Sequence, residues 1–340
     1  MIKRPRRTCV ASPNLALSRR ELLVGLVPAA ALLSGKAGAQ SWFPSKPIHV
    51  YIGYPAGGAV DIVVRLVGEG ARRTSGAVIV GEVRSGAYGL IAAQAASQAE
   101  PDGYTLASAI MGMMSVLPAV PGSRASLNVD TALTPVTNLA GSAMALVARP
   151  DAPFDDIDGF VSHVRSRGGN ATYASSGPGS INHLAAAYIA GELGLQMIHV
   201  PYRGGAPATM DIVGGRVDIF VANVAEVASM VGEGKMKALG VTSTHPSPLI
   251  PKAAPLATRF PSLEFNNWFG LAGPANMPTA VVERVSALFG AALREPETIQ
   301  ALAARGLEPL PISGPAFKEQ IMRDRARWAA VAKASNIRIE

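Results

Sequence analysis

The chain is poor in cysteine, histidine and long apolar runs, and each shortage removes a class of function. Its one cysteine, Cys9, precedes the first apolar run, where a lipoprotein acceptor would have to follow it. Beyond that point there is no thiol for a disulfide, a thiolate-bound metal or a cysteine nucleophile. The five histidines include no pair at metal-ligand spacing; the nearest two, His183 and His199, are separated by a helix's length. No G-x-S-x-G elbow, Walker loop or Gly-x-Gly-x-x-Gly stands at a strand-to-helix junction. The expectations are therefore no catalytic residue, no metal and no cofactor, and binding rather than turnover. No apolar stretch reaches the ~20 residues that a membrane span needs.

The apolar run that is present, Leu22 to Leu33, follows Arg4, Arg6, Arg7, Arg19 and Arg20 and is succeeded by the small residues Ala37-Gly38-Ala39. That is the pattern of a secretory signal peptide over residues 1–39, cleaved before Gln40, which predicts export to the periplasm. Ser18-Arg19-Arg20-Glu21-Leu22-Leu23 also resembles a twin-arginine export motif, with Leu22 where Phe is preferred. The leader holds seven of the 31 basic and one of the 24 acidic side chains, so the remainder is balanced at 24 against 23. The high pI belongs to the leader and gives no case for nucleic-acid binding.

From residue 46 onward, apolar runs alternate with amphipathic segments, which predicts an α/β fold with mostly parallel strands. Strands are expected over 48–53, 77–82, 104–110, 143–148, 171–175, 196–200, 217–222 and 236–242. Helices are expected over 58–72, 87–98, 154–166, 180–193, 205–213, 224–233, 279–293, 296–305 and 314–333. The order suggests two lobes, residues 40–141 plus 268–340 and residues 142–267, with 266–272 returning as a strand and the last three helices lacking partner strands. Two crossings make a hinge and a ligand cleft, lined by strand-to-helix loops.

Three such loops are unusual. Tyr54-Pro55-Ala56-Gly57-Gly58-Ala59-Val60-Asp61 hands a strand to a helix, where main-chain N–H groups and the helix dipole attract an anion. Ser176-Gly177-Pro178-Gly179-Ser180, with His183 three residues on, does the same in the second lobe, as does Tyr202-Arg203-Gly204. The plainer roles are a tight turn for the glycines, an N-cap for Ser180 and loop hydrogen bonds for His183. Asp61 either fixes its loop, with Arg65 close enough to pair, or meets a ligand group or water. Arg203 pairs with an acidic ligand or is solvated. Met111, Met113 and Met114 either border the site or pack the core.

Taken together, Pro44-Ser45-Lys46-Pro47-Ile48, Tyr54 to Asp61 with Arg65, Pro101-Asp102-Gly103-Tyr104-Thr105-Leu106, Ser176 to Ser180 with His183-Leu184, Val200-Pro201-Tyr202-Arg203-Gly204, Gly215-Arg216-Val217-Asp218 and Trp268-Phe269-Gly270-Leu271 fall in the order of one family. The chain resembles the Bug receptors, substrate-binding proteins of tripartite tricarboxylate transporters. The resemblance implies a two-lobed type II periplasmic binding protein fold that closes on a small carboxylate as a monomer and presents it to a membrane permease. A sensor protein is the alternative partner, and a Ser/His hydrolase the alternative activity. It points to Ala56, Gly57, Gly58 and Asp61, to Ser176, Gly177, Ser180 and His183, and less directly to Tyr202, Arg203 and Gly204. Departures include Tyr54 where the family has Phe, and Arg84-Ser85-Gly86-Ala87-Tyr88-Gly89 in place of Arg-Pro-Gly-Ala-Gly-Gly. The apolar Met111-Gly112-Met113-Met114 replaces a polar segment and points to a monocarboxylate or an acid with an apolar tail.

Overall fold

Residues 43–123 and 126–339 are described by a computed structural model; the leader, its cleavage site and Cys9 lie outside the described residues. The first strand, β1 (Ile48–Ile52), buries Ile48, Val50 and Ile52 completely. Gly53 ends it, and α1 (Ala59–Ser75) follows with Val60, Val63, Val64 and Val67 on its inner face. Then come β2 (Ile79–Val83), α2 (Leu90–Ser97), β3 (Thr105–Ile110), a π-helical turn over Gly112–Val116 continuing into α3 (Leu117–Ala119), and α4 (Val129–Ala132). The long β4 (Leu133–Ala148) leads to α5 (Ile157–Ser166), β5 (Thr172–Ser175), α6 (Ile181–Glu192), β6 (Ile198–Pro201), α7 (Gly205–Val213), β7 (Ile219–Asn223), α8 (Val224–Gly232) and β8 (Lys237–Val241). The chain closes with β9 (Asn266–Pro274), α9 (Thr279–Leu293), α10 (Pro296–Ala303), β10 (Glu308–Ser313) and α11 (Gly314–Ala334).

One strand is shared by two half-sheets. In its first part β4 lies between β9 and β10, and the sheet continues through β3 and β1 to β2. In its last part, Ala145–Ala148, it lies between β8 and β7, and the sheet continues through β5 to β6. Within the half-sheets β1 is parallel to β2 and β3, and β5 to β6 and β7. Every pairing of β4 and β9 is antiparallel, so the sheet is mixed rather than mostly parallel as the alternation predicts. The crossing strands run against their neighbours because each enters a half-sheet from the other one instead of through a crossover helix.

Two further expectations need correction. The expected strand 143–148 starts ten residues earlier, at Leu133. Pro135 hides that extension, and it is tolerated at a register shift against β9. The last three helices do not lack a strand: β10 pairs with β4, carrying Pro309 and Pro311 at the outer side of the half-sheet with an irregular register. α9 and α10 pack on α1, while α11 packs on β4, on the π-helical turn and on α6. Trp328 of α11 is fully buried, edge-on to Tyr188 of α6 and to Phe265. The core of the second half-sheet gathers Val147, Phe220, Ile212, Val227 and Val241.

Candidate functional site

Because β1, β2 and β3 are parallel, their carboxyl ends share one edge and bring Tyr54–Gly58, Arg84–Gly89 and the start of the π-helical turn together. Glycine makes this possible. A Cβ on Gly53 would sit 2.5 Å from the Gly89 Cα, and one on Gly89 would sit 3.3 Å from the Tyr54 ring and 3.6 Å from the Met113 sulfur. The Gly53 N–H donates to the Ser108 hydroxyl at 3.1 Å, which ties the loop to β3. The Tyr54 hydroxyl lies about one van der Waals contact from Gly112, 4.0 Å from where its Cβ would be. Burial, and then the neighbouring Tyr88 phenol, push the Tyr54 hydroxyl far above the usual phenol range.

Asp61 is buried, and its carboxylate is engaged within its own loop. Oδ2 accepts from the Gly57 N–H at 2.9 Å and Oδ1 accepts from Arg65 Nε at 2.8 Å. The Gly57 amide is therefore occupied, and the Gly58 amide donates weakly to Pro55 O at 3.3 Å. Gly58 is the N-cap of α1 and supplies no side chain, so the first turn keeps outward-facing N–H groups beside the exposed Ala56. Asp61 fixes the loop that presents them.

In the second half-sheet, β5, β6 and β7 place Ser176–Ser180, Tyr202–Gly204 and Asn223–Glu226 along one edge. Ser180 is the N-cap of α6, its hydroxyl accepting from the His183 N–H at 3.3 Å. His183 Nδ1 in turn accepts from the Gly179 N–H at 3.2 Å, so Ser180 and His183 form no nucleophile–base pair. The Ser176 hydroxyl donates to Asn182 Oδ1 at 2.5 Å, and Asn182 Nδ2 donates to Val221 O at 2.8 Å. Ser175, fully buried, lies 2.6 Å from His199 Nε2 and accepts from the Gly177 N–H at 3.1 Å.

The two histidines that the sequence holds a helix apart stack face to face, with ring centroids 3.6 Å apart and planes at 14°. The β5–α6–β6 unit folds the first turn of α6 over β6, and Tyr173 lies beside the pair, 5.1 Å from His199 and 5.9 Å from His183. Burial holds both imidazoles uncharged: His183 is lowered to about 3, with the neighbouring His199 adding to the effect, and His199 to about 4. Stacked rings do not converge their nitrogens on one point, and among the described residues no three His, Cys, Asp or Glu are grouped to hold a metal.

In the third loop the tyrosine is turned toward its own following helix. The Tyr202 hydroxyl donates to Asp211 Oδ2 at 2.8 Å, and Arg216 holds the other Asp211 oxygen. Burial and that bond push the Tyr202 phenol up to about 12. Arg203 is exposed and has no ion-pair or hydrogen-bond partner among the described residues; Gly204, at φ 111°, begins α7. Met111, Met113 and Met114 are all buried, so they pack the core and give no support to an apolar ligand tail.

The two loop sets face each other. A Cβ on Gly177 would lie 3.7 Å from the Tyr88 hydroxyl of the first half-sheet and 3.5 Å from Tyr202 O. Sequence reasoning noted Tyr88 only as a departure, and passed over Asn182, Asn223 and Glu226. Asn223 Nδ2 donates to Glu226 Oε1 at 2.7 Å, and Asn223 Oδ1 accepts from Asn267 Nδ2 of β9 at 3.1 Å. The Glu226 side chain reaches solvent, yet surrounding protein pushes its carboxyl above the usual range. A polar residue at each strand end is the signal that was available in the sequence.

Two half-sheets on a shared strand, with loops from parallel strand ends apposed, define a two-lobed periplasmic binding protein fold. The chain belongs to the tripartite tricarboxylate transporter receptors, the Bug family, whose description matches residues 63–337. It is 31% identical over 322 residues to the protein of the tcbD-tcbE intergenic region of Pseudomonas sp. (strain P51), covering 93% of this chain and 94% of that one. It is 25% identical over 332 residues to BugT of Bordetella pertussis, covering 95% and 99%. A Rhodopseudomonas palustris protein solved with adipate superposes with a TM-score of 0.76 at 25% identity, covering 87% and 99%. MatC of the same organism, with bound malate, gives 0.70 at 26%, covering 85% and 99%.

Proposed function

We propose that this protein is a periplasmic receptor that captures a small organic carboxylate by closing its lobes, 40–141 plus 268–340 on one side and 142–267 on the other. The observation that carries the reading is the apposition of Tyr88 with Gly177, on loops at the strand ends of different half-sheets; it supports a seat between α1's uncapped first turn and the Ser176–Ser180 loop. Ala56, Gly58 and the α1 terminus hold the anion from one lobe, and Gly177, Ser180 and the neutral His183 hold it from the other. Gly57 and Asp61 shape the seat, and Arg203 supplies the one unpaired positive charge on these loops. Adipate and malate, bound by relatives, are carboxylates of the size intended.

The hinge lies where β4 passes from β9 to β7, at the Ser142–Asn267 and Met144–Asn223 pairings. The closed form presents the ligand to the permease of a tripartite transporter, and a gene neighbourhood without permease genes would favour a sensor partner instead. Thermal unfolding against a panel of mono- and dicarboxylates tests the ligand class, because a ligand of the folded state alone raises Tm, by the equivalent of about 2.7 kcal/mol at a hundredfold excess over Kd. No rise with any acid at millimolar concentration overturns the reading.

A further inference from the structure

Four consecutive residues, Gly86, Ala87, Tyr88 and Gly89, have φ of 132°, 47°, 58° and 91°. Glycine adopts such angles freely, but a tyrosine at φ 58° and ψ 26° is a strained exception, of the kind that persists where surrounding structure or function holds it. The ring gains little burial in return, since Tyr88 is 44% exposed. Its hydroxyl nonetheless reaches across the cleft to the Gly177 main chain. The turn that carries it is held by the close approach of Gly89 to Gly53, and within that turn Tyr88 is the side chain presented to the cleft.

Aromatic rings and glycines lie about it. The Tyr54 ring approaches Gly89, beside Tyr88, and Gly177 offers main chain with no Cβ to the Tyr88 hydroxyl. Charge on these loops is nearly cancelled. Arg65 is paired with Asp61, and Arg84 is paired with Glu82 and stacked over Tyr51 at 3.6 Å. That leaves Arg203 as the one unpaired cation among the described residues of the loops, with Glu226 on the same edge to oppose a second anion.

We infer that Tyr88 is the specificity-determining residue of the cleft, its ring covering the planar apolar body of an aryl monocarboxylate whose single carboxylate occupies the seat. This rests on the carboxylate reading above and narrows it. An exposed aromatic ring at the cleft favours offset stacking on a planar ligand, whereas a flexible alkyl chain gains less from the ring face and loses more freedom on binding.

The test is calorimetric titration of the purified protein with benzoate, phenylacetate, butanoate, hexanoate and adipate, for wild type, Tyr88→Phe and Tyr88→Gly. Wild type is expected to bind at least one aryl acid tenfold or more tighter than the alkyl acids and adipate. Tyr88→Phe keeps the ring and should keep that preference. Tyr88→Gly should abolish it while leaving Tm unchanged or raised by up to about 4 °C, because glycine removes the backbone strain. A residue with only a structural role would instead lower Tm and leave the preference in place. Wild type favouring alkyl acids or adipate, or Tyr88→Gly retaining the aryl preference, overturns the inference while the carboxylate reading stands. No binding of any of the five acids by wild type overturns the inference, and the wider acid panel in thermal unfolding then decides whether the carboxylate reading falls with it.

Discussion

At the scale of single residues, side chains that look like ligand groups in the sequence turn out to hold loops. Asp61 has both oxygens bonded inside its loop, Ser180 caps α6, and Tyr202 points its hydroxyl at Asp211. The main-chain groups they position are the ones the proposed carboxylate would meet. The histidine pair is the sharpest case. His183 and His199 are neutral in the folded protein down to about pH 3 and 4, while in the unfolded chain each protonates near 6.5. Below that value the unfolded chain binds more protons, so stability is full above pH 6.5 and falls as pH drops toward 4. Tm measured from pH 7.5 to 4 should decline, by the equivalent of roughly 3 kcal/mol at the acid end, about half the unscreened value for two rings because neither is sealed from solvent. His183→Asn, which removes one of the two titrating rings, should flatten the slope; an unchanged slope would mean that the stacked pair does not govern the acid limb.

At the scale of elements, most of the fold was legible because its signals are local. The glycine-ended apolar runs gave β1, β5 and β7 to within a few residues, and α7 and α9 fall at their expected bounds. What escaped was set by distant partners. From Val136 on, β4 is buried on both faces and shows no alternation, and Pro135 argues against a strand that only β9 and β10 sustain. β10 carries two prolines that only an outer position permits. The Met111–Val116 segment is wholly apolar apart from Gly112 and Ser115, a pattern that fits a buried turn as well as a site wall. In the Ser176–Ser180 loop, Asn182 is the joint between loop and sheet. Asn182→Ala should strip Ser176 and Val221 of partners and cost about 1–3 kcal/mol in denaturant unfolding. It should also weaken carboxylate binding; full affinity in a destabilised variant would separate this loop from the site.

At the scale of the whole molecule, the lobes are joined by polar as well as apolar links. Asn267 on β9 donates to Asn223, which donates to Glu226, and Asn267 Oδ1 is buried with no partner. The far side is spanned by α11 through Trp328. Beyond it Ile339 donates its N–H to Pro121 O, and its side chain would meet a Cβ on Gly179 at 2.6 Å. Asn223→Ala leaves the Asn267 amide without its acceptor and should cost about 1–3 kcal/mol. Because this link sits at the crossing of β4, the variant should also change how far small-angle scattering shows the protein contracting when a saturating acid is added. Identical contraction in wild type and variant would remove the link from the hinge.

The sequence by itself determined the family, the alternation of elements and the three glycine-bearing loops, since each depends on residues close together in the chain. Tertiary structure alone decided that the sheet is mixed, that β4 is shared by both lobes and that His183 lies on His199. It alone set the Tyr88 hydroxyl against Gly177. Those facts depend on which strands pair and which loops meet, and the groups involved lie on different elements, from a helix's length to more than a hundred residues apart, so no local spacing records them.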